Sequence, residues 1–469
     1  MLTTRPTMNP LPAEHLAALR QRVAGPVLTP ADHDYAVECA TFNLAVEHQP
    51  QVVVGATSAE DVALAVRFAA AHGLPVTVVA TGHQAIVSVQ DGLLINTGRM
   101  IGVSIDPDRR TALVGAGTCF QQVVDRAAEH GLAPLTGSSP LVGVVGFTLG
   151  GGLSPTMGRA KGWAADHVTA LEVVTANGEP HRVTPDHEPD LYRGLLGGKS
   201  NFGVVTAMEF GLFAVDRLYA GGLFFSGEHA GDVLRAYAKL AARAPDELTS
   251  SISFLRLPPL PFVPEPLRGT FTVHVRLSFL GRAGAGEELI APLRAAAPVL
   301  IDTIGDMPYS GFAAIHADPV EPAPFLERSG LLRELSEPVV ANLLELAGPT
   351  SECPIEFVEL RHLGGALGRA PKHPNSIGHR EAEFGFWMLS IALPGHADER
   401  MHYADQLLAR LAPWSTGGKY LNFMATEDVS AEQVHAAYGD ATYARLRTTK
   451  SAYDPHNLFR YNHNIPPED

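Results

Sequence analysis

The sequence predicts an α+β protein whose first half alternates strands and helices and whose middle consists mainly of antiparallel strands. Two observations support this prediction. Short apolar runs in the first half are separated by amphipathic stretches that start at capping residues and end at glycine. In residues 270–280, T-F-T-V-H-V-R-L-S-F-L, apolar and polar side chains alternate strictly, which is typical of an antiparallel strand with one covered face. We therefore expect two domains built around different sheets.

Start and stop signals mark each element of the first half. A buried strand is predicted at 51–56, and Ser58 with Asp61 predicts the start of a helix that ends at Gly73. The further elements follow in order: strands at 76–80 and 93–96, a hairpin that reaches 114–117, a helix capped by Thr118 and Gln121 and closed by Gly131, and a hairpin turn at Asn177-Gly178.

The middle of the chain carries strands with a different pattern. Besides 270–280, the segments 355–363 and 384–393 are predicted to be strands because they are rich in aromatic and branched residues. Amphipathic stretches near 227–243, 285–297 and 398–411 predict helices that cover one side of this sheet.

Composition excludes several classes of protein. Lys and Arg total 35 against 50 Asp and Glu, a net charge of −15, which argues against a nucleic-acid partner. The three cysteines fit no zinc or disulfide spacing, and no H-E-x-x-H pattern occurs, so no metal is expected. No basic-then-apolar run opens the chain, which predicts a cytoplasmic protein. Residues 131–158 carry no charge, but glycines and prolines interrupt them too often for a membrane helix.

Two apparent nucleotide motifs are incomplete. In G-L-L-G-G-K-S (194–200) the first glycine lies one residue too close to the Gly-Lys pair for a P-loop. The G-A-G at 115–117 lacks the third glycine of a dinucleotide fingerprint. The uncharged 131–158 segment is thus either a buried connection or a backbone cradle for a phosphate-bearing cofactor.

Five ordered segments distinguish this chain from a generic α+β protein: P-V-T-V-V-A-T-G-H-Q (75–84), G-S-S-P-L-V-G-V-V-G-F-T-L-G-G-G (137–152), G-G-K-S-N-F-G-V-V (197–205), Y-L-N-F (420–423) and Y-D-P-H-N-L-F-R-Y-N-H-N-I (453–465). Together they resemble the berberine-bridge-enzyme-like FAD oxidases of the vanillyl-alcohol-oxidase group. The resemblance implies a PCMH-type FAD-binding domain of two subdomains at 26–215, a substrate domain at 216–414 and a C-terminal segment, 415–469, that returns to the FAD domain.

The resemblance also implies the residues that hold FAD. His83 matches the histidine that relatives bond covalently to the flavin 8α-methyl group, although a histidine at a strand end is by itself unremarkable. Glycine lets backbone N–H groups approach a diphosphate closely, which fits the two loops around it. The implied flavin-binding set is Ala80, Thr81, Gly82, His83, Gln84, Gly137, Ser138, Ser139, Val142, Gly143, Gly146, Asn201, Gly203, Val205, Asn422, Asn462 and Asn464.

This chain departs from the family pattern at several positions. Many relatives carry a second flavin-bonding cysteine where this chain has Ser139, whose hydroxyl lacks thiolate chemistry, so only His83 is expected to attach the flavin, as in some bacterial members. Val79 and Thr81 replace the Arg and first Gly of the usual R-S-G-G-H. Lys199 replaces a glycine and is either a solvated loop lysine or a cation that stabilises an anionic substrate or reduced flavin.

Three residues are candidates for catalysis. Tyr420 matches a family tyrosine near the reacting centre, and a tyrosine can act as a base only where a neighbour lowers its pKa. Glu359 and Arg361 share one face of the predicted strand 355–363 by the period-two rule. They are either site residues or a surface ion pair.

The resemblance implies a FAD-dependent oxidase of a small molecule, here expected to be a natural product: hydride passes to the flavin, and O2 is reduced to hydrogen peroxide. The lack of a fingerprint for NAD also favours O2 as the acceptor. In this family the position of Val142 acts as a gate for O2. The substitutions at 79, 81 and 139 keep open an alternative, a flavin-bearing protein with a non-redox binding or cyclase role.

Overall fold

The computed structural model describes residues 11–84 and 87–468 and contains three β-sheets. The first sheet has the strand order β1-β2-β4-β3, with β2, β4 and β3 parallel and β1 antiparallel at the edge. Its helix begins at Ser58, whose side chain accepts a hydrogen bond from the Asp61 N–H, as predicted. The elements are α1 (Ala13–Arg22), β1 (Val27–Leu28), α2 (Tyr35–Glu38), β2 (Val52–Gly55), α3 (Ala59–Ala71), β3 (Val76–Val79) and β4 (Leu93–Asn96).

The second sheet is antiparallel, with the order β5-β6-β9-β7-β8. One predicted helix start is wrong by one residue: Cys119 is the cap, and its N–H donates to Gln122 Oε1 at 2.9 Å. Thr118 is unavailable because its hydroxyl bonds to Gly102. The elements are β5 (Val103–Asp106), β6 (Thr111–Gly115), α4 (Phe120–Ala128), α5 (Val144–Leu149), α6 (Gly158–Lys161), β7 (Val168–Val174), β8 (Pro180–Val183), α7 (Pro189–Gly198) and β9 (Val204–Gly211).

The third sheet has eight antiparallel strands, in the order β13-β10-β12-β11-β16-β17-β15 with β14 also paired to β10. It includes the three strands predicted from the sequence. The elements are β10 (Arg217–Ser226), α8 (Ala230–Ala241), β11 (Leu248–Arg256), β12 (Phe271–Phe279), α9 (Ala283–Arg294), β13 (Val299–Asp302), β14 (Gly305–Pro308), α10 (Ala313–His316), β15 (Phe325–Leu332), α11 (Glu337–Ala347), β16 (Phe357–His362), β17 (Phe384–Ile391) and α12 (Ala397–Leu411).

Both faces of the central strands β11 and β12 are buried, which differs from the single covered face that the alternation predicts. Helices α8, α11 and α12 pack on the apolar face, around Val273 and Val275. On the opposite face of β12, Thr272, His274, Arg276 and Ser278 are also buried. The polar face of the large sheet therefore lies inside the protein, where each charge needs a partner.

The C-terminal part of the chain packs on the first half. It contains α13 (Ala431–Tyr438) and α14 (Asp440–Tyr453), and the residues after α14 contact β3. Val76 N–H donates to Leu458 O at 2.9 Å, and Thr77 Oγ1 donates to Tyr461 O at 3.2 Å. Lys450 is fully buried, and its ammonium donates to Asn201 O, Asp454 Oδ2 and Phe459 O. These contacts connect the segment to β3 and to the 197–205 loop. No helix in the described ranges has the length and apolar character needed to cross a membrane.

We predict that Lys450→Met destabilises the fold strongly. The change leaves Asp454 buried without its cation and orphans two carbonyl groups, so the free energy of unfolding should fall by about 3–5 kcal/mol. Urea denaturation followed by circular dichroism measures this. Lys239→Met, on the exposed face of α8, is the matched control and should change stability by less than about 0.5 kcal/mol. Equal stabilities for the two variants would contradict the interpretation that the buried Lys450 ammonium stabilises the fold through its three hydrogen bonds.

Candidate active site

The loop that follows β3 is shaped by a close backbone approach at Gly82. Gly82 has φ +68°, and a Cβ there would lie 2.5 Å from Thr41 Cβ. The N–H groups of Phe42 and Asn43 donate to Thr81 O and Gly82 O, which holds the loop against this neighbouring segment. Only glycine satisfies both the positive φ and the contact.

His83 lies in this loop with one nitrogen free. Its ring stacks on Phe42, with centroids 4.0 Å apart, and Nδ1 lies 3.0 Å from Thr81 Oγ1. Nε2 is buried and has no hydrogen-bond partner among the described residues. Burial lowers the pKa of His83 to about 4, so the imidazole is neutral at physiological pH. A neutral, unpaired and buried ring nitrogen is the group that a covalent flavin would require here.

The second predicted flavin loop, 137–146, lies against the first. A Cβ on Gly143 would come within 3.4 Å of Thr81 Oγ1. Gly137 packs against Phe147, whereas the space beside Gly146 is open. Ser139 is buried, Ser138 and Val142 are partly buried, and Ala80 precedes the turn at the end of β3. The two loops therefore meet at Thr81 and Gly143.

Gln84 and Lys199 connect this loop to the C-terminal segment. Gln84 Nε2 donates to Leu421 O and Met424 O, each at 3.1 Å, so its Oε1 is directed to the Lys199 ammonium, which donates to it. Lys199 also donates to Leu421 O at 3.1 Å. A Cβ on Gly150 would lie 2.6 Å from Lys199 Cε. Burial lowers the pKa of Lys199 to about 7, so it is not a solvated loop lysine.

The hydroxyl of Tyr420 is held by two donors. It accepts from Leu153 N–H at 2.9 Å and from Asn422 Nδ2 at 3.1 Å, and Asn422 Nδ2 also donates to Phe147 O. Burial raises the pKa of Tyr420 to about 12, despite these hydrogen bonds. Tyr420 is therefore protonated at neutral pH. Because both donors use its oxygen as an acceptor, its own proton remains available to a bound molecule.

Glu359 and Arg361 form a buried charge cluster rather than a surface ion pair. Glu359 is fully buried and pairs with Arg276 at 2.6 Å and with Arg361 at 2.7 Å. Burial alone would raise its pKa, but the two guanidinium groups hold the pKa of Glu359 below its ordinary value. Arg361 lies over the ring of Phe423, 4.9 Å away, and Phe423 packs edge-on against Tyr420. The cluster thus borders the Tyr420 side chain.

The predicted asparagines have different positions. Asn201 Nδ2 donates to Gly198 O and His463 O, and its Oδ1 accepts from Ile465 N–H, so its side chain connects two segments of protein. Gly203 and Val205 belong to the same tightly packed stretch beside β7. The Oδ1 atoms of Asn462 and Asn464 are buried without partners among the described residues, which fits groups that face a ligand.

Sequence reasoning missed Glu327 on β15 and Trp387 on β17. Trp387 Nε1 donates to Glu327 Oε2 at 2.7 Å, and burial raises the pKa of Glu327 to about 7. In the sheet register Ser329 lies opposite Trp387, and Trp387 lies opposite Glu359, so Glu327 shares the polar face. No apolar-polar alternation marks residues 325–332, so only the register reveals this position. No cluster of His, Cys, Asp and Glu within the described chain could hold a metal ion.

Two family models match this chain, one at each end. A model of the FAD binding domain matches residues 50–184, and the "berberine and berberine like" model matches residues 419–466. The first range contains both glycine loops and His83, and the second contains Tyr420, Asn422 and the buried asparagines.

Known proteins resemble the chain along nearly its whole length. A (R)-6-hydroxynicotine oxidase of Paenarthrobacter nicotinovorans is 28% identical over 95% of this chain and 97% of its own. The crystal structure of 6-hydroxy-D-nicotine oxidase from Arthrobacter nicotinovorans superposes with a TM-score of 0.79, at 27% identity, over 95% and 98% of the two chains. Xylooligosaccharide oxidase from Myceliophthora thermophila C1 shares the fold, with a TM-score of 0.84 at 21% identity over 97% and 99%.

The fold and the two matched domains define a FAD-linked oxidoreductase. Within that class, residues 419–466 match the berberine and berberine-like domain, in addition to the FAD binding domain at 50–184. The predicted α+β fold with a PCMH-type FAD-binding domain is confirmed. The buried, unpaired nitrogen of His83 and the glycine loop beside it fit FAD.

We predict that Gly82→Ala prevents normal FAD binding. The added Cβ collides with Thr41 and displaces the loop that carries His83, so purified variant should contain less than about a tenth of the wild-type flavin. The ratio of absorbance at 450 and 280 nm measures this. Gly73→Ala is the matched control, because Gly73 has a similar φ of +64° but nothing within 4 Å of the added Cβ. Loss of flavin in both variants would point to backbone strain rather than to the loop position.

Proposed function

We propose that the protein is a FAD-dependent oxidase of a small organic molecule, with the flavin bonded to His83 and O2 as electron acceptor. One observation carries this proposal: three parts of the site are connected to one another. Gln84 and Lys199 bond to Leu421 O, next to Tyr420, and thereby connect the His83 loop to this segment. Phe423 packs between Tyr420 and Arg361 and thereby connects this segment to the charged face of the large sheet. FAD, when bound, supplies the acceptor for a substrate hydride and passes the electrons to O2, giving hydrogen peroxide.

The covalent link is proposed through His83 alone. Its neutral imidazole with a buried free nitrogen supports bond formation to the flavin 8α-methyl carbon. Ser139 on the second loop provides no thiolate, and its hydroxyl lies 3.4 Å from Leu141 N–H. The backbone of the two glycine loops, with Asn462 and Asn464, would hold the rest of the cofactor.

Tyr420, Glu359 and Arg361 are proposed to orient the substrate. With a pKa of about 12, Tyr420 acts as a hydrogen-bond donor to the substrate and not as a base. Glu359 is neutralised by two arginines, so its part is to fix Arg361, whose guanidinium lies over the ring of Phe423. Asn422 fixes the hydroxyl oxygen of Tyr420.

The substrate proposed is a natural product or a related small metabolite. The relatives' names refer to a hydroxylated nicotine and to xylooligosaccharides, both small molecules with hydroxyl or amine groups. O2 is proposed as the acceptor because Val142, partly buried next to Gly143, is small enough to leave space for it. The alternative, a flavin protein with a binding or cyclase role, retains support from Val79, Thr81 and Ser139.

We predict that the flavin stays with the polypeptide after denaturation. Trichloroacetic acid should precipitate a yellow wild-type protein, and His83→Ala should release all its flavin to the supernatant, because no other residue replaces the imidazole. His48→Ala is the matched control, since His48 is also buried and its Nε2 also lacks a partner among the described residues. A colourless wild-type precipitate would rule out the covalent link.

Anaerobic spectra of the purified protein test the oxidase proposal. A panel that includes 6-hydroxynicotine, xylobiose and aromatic alcohols should contain a compound that bleaches the flavin, and O2 should restore the colour within seconds and yield one hydrogen peroxide per flavin. Val142→Leu should slow that reoxidation about tenfold or more without slowing bleaching, because it fills space. Photoreduced wild type that stays bleached for many minutes in air contradicts the oxidase proposal and favours the non-redox alternative.

A further inference from the structure

Glu327 on the large sheet and Lys199 beside the flavin loops are two charged groups that influence each other electrostatically at the junction of these elements. Glu327 comes from β15, and Lys199 follows α7 in a strained loop position with φ +53°. The ammonium of Lys199 contacts only Gln84 Oε1 and Leu421 O in the described chain. Each charge favours the ionised form of the other, although no direct ion pair joins them.

One oxygen of Glu327 is free to accept a proton. Its Oε2 accepts from Trp387 Nε1 at 2.7 Å, whereas Oε1 accepts from no residue in the described ranges. Trp387 also lies against Phe423, with ring centroids 5.1 Å apart, and Phe423 packs on Tyr420. Glu327 is thus connected to Tyr420 through the contacts of Trp387 and Phe423.

The other charged groups around this pair are already neutralised. Asp428 pairs with Lys419 at 2.6 Å, and Glu427 pairs with Arg328 at 2.8 Å. Burial lowers the pKa of His463 to about 3, so that ring is neutral. Glu359 is held by two arginines, and Tyr420 keeps its proton. Glu327 is therefore the carboxylate at this junction that has no cation in ion-pairing contact within the described structure.

We propose that Glu327 Oε1 accepts the proton that the substrate loses during oxidation, and that Lys199 stabilises the carboxylate that does so. This rests on the proposed oxidase function. The substrate is then an alcohol or amine. Its O–H or N–H bond breaks with the proton going to Glu327, while the hydride of the adjoining carbon goes to the flavin, and a C=O or C=N bond forms. The held proton, the hydride and O2 together give hydrogen peroxide, so atoms and electrons balance.

The pair titrates in the range that this role requires. Burial raises the pKa of Glu327 and lowers that of Lys199, each to about 7. Below this range Glu327 carries a proton and cannot accept another, and above it Lys199 loses the charge that stabilises the carboxylate. Because the groups are coupled, the two limbs of the resulting bell-shaped profile belong to the pair.

The test compares Glu327→Gln with Glu427→Gln in the holoenzyme. The glutamine at 327 can still accept from Trp387, so folding should be preserved, and Glu427 is an exposed neighbour that serves as the control. With the panel compound that bleaches wild type, anaerobic flavin reduction at pH 7.5 should fall about 100-fold or more in Glu327→Gln, and its acid limb should vanish. Lys199→Met should shift the acid limb to higher pH. Tyr420→Phe should keep both limbs.

A second readout needs no substrate. Infrared difference spectra across pH 6–8 should show a carboxyl group in wild type and in Glu427→Gln that gains its proton near pH 7 and is missing from Glu327→Gln. An unchanged reduction rate in Glu327→Gln, or no such carboxyl signal, overturns the proposal. Photoreduced wild type that stays bleached in air overturns the oxidase function instead, and the infrared titration still decides whether Glu327 holds the proton.

Discussion

The burial of the polar face of the large sheet is the constraint on which the rest of the structure depends. A face that carries Arg276, Glu359 and Arg361 can leave water only if its charges are compensated, and the arginine–glutamate–arginine arrangement achieves this without solvent. The helices on the opposite face need only apolar contacts. The charged side chains are therefore concentrated on the polar face of the large sheet.

Local sequence signals predicted most of the fold. Ser58 and Gly73 bounded a helix correctly, and the alternation at 270–280 identified β12. The same alternation did not reveal that Thr272 and Ser278 would be buried, because period two reports which side chains share a face and not what covers that face. The cap at Cys119 was missed because the hydroxyl of Thr118 bonds to a distant backbone group.

Some residues of the candidate site could be identified from local motifs, whereas others depend on contacts between segments remote in sequence. His83, Tyr420 and the glycine loops were identified because motifs contiguous in sequence carry them. Lys199 was noticed, but its environment depends on Gln84 and Gly150, which are remote in sequence. The sequence did not predict Glu327 as a site residue, because its place on the polar face follows from the pairing of β15 with β17. Asn201 shows the reverse case: the motif identified it, and the structure uses its side chain to connect two segments of protein.

The connection of Asn201 and Lys450 to the C-terminal segment has a consequence for biosynthesis. A nascent chain that has been translated as far as residue 414 already contains both glycine loops and His83, yet it lacks Tyr420, Asn422 and the buried asparagines. The cradle is closed only when these late residues emerge from the ribosome and dock. The contacts of Gln84 and Lys199 with Leu421 thus form only after the C-terminal residues have been synthesised, and a chain truncated at residue 414 lacks them.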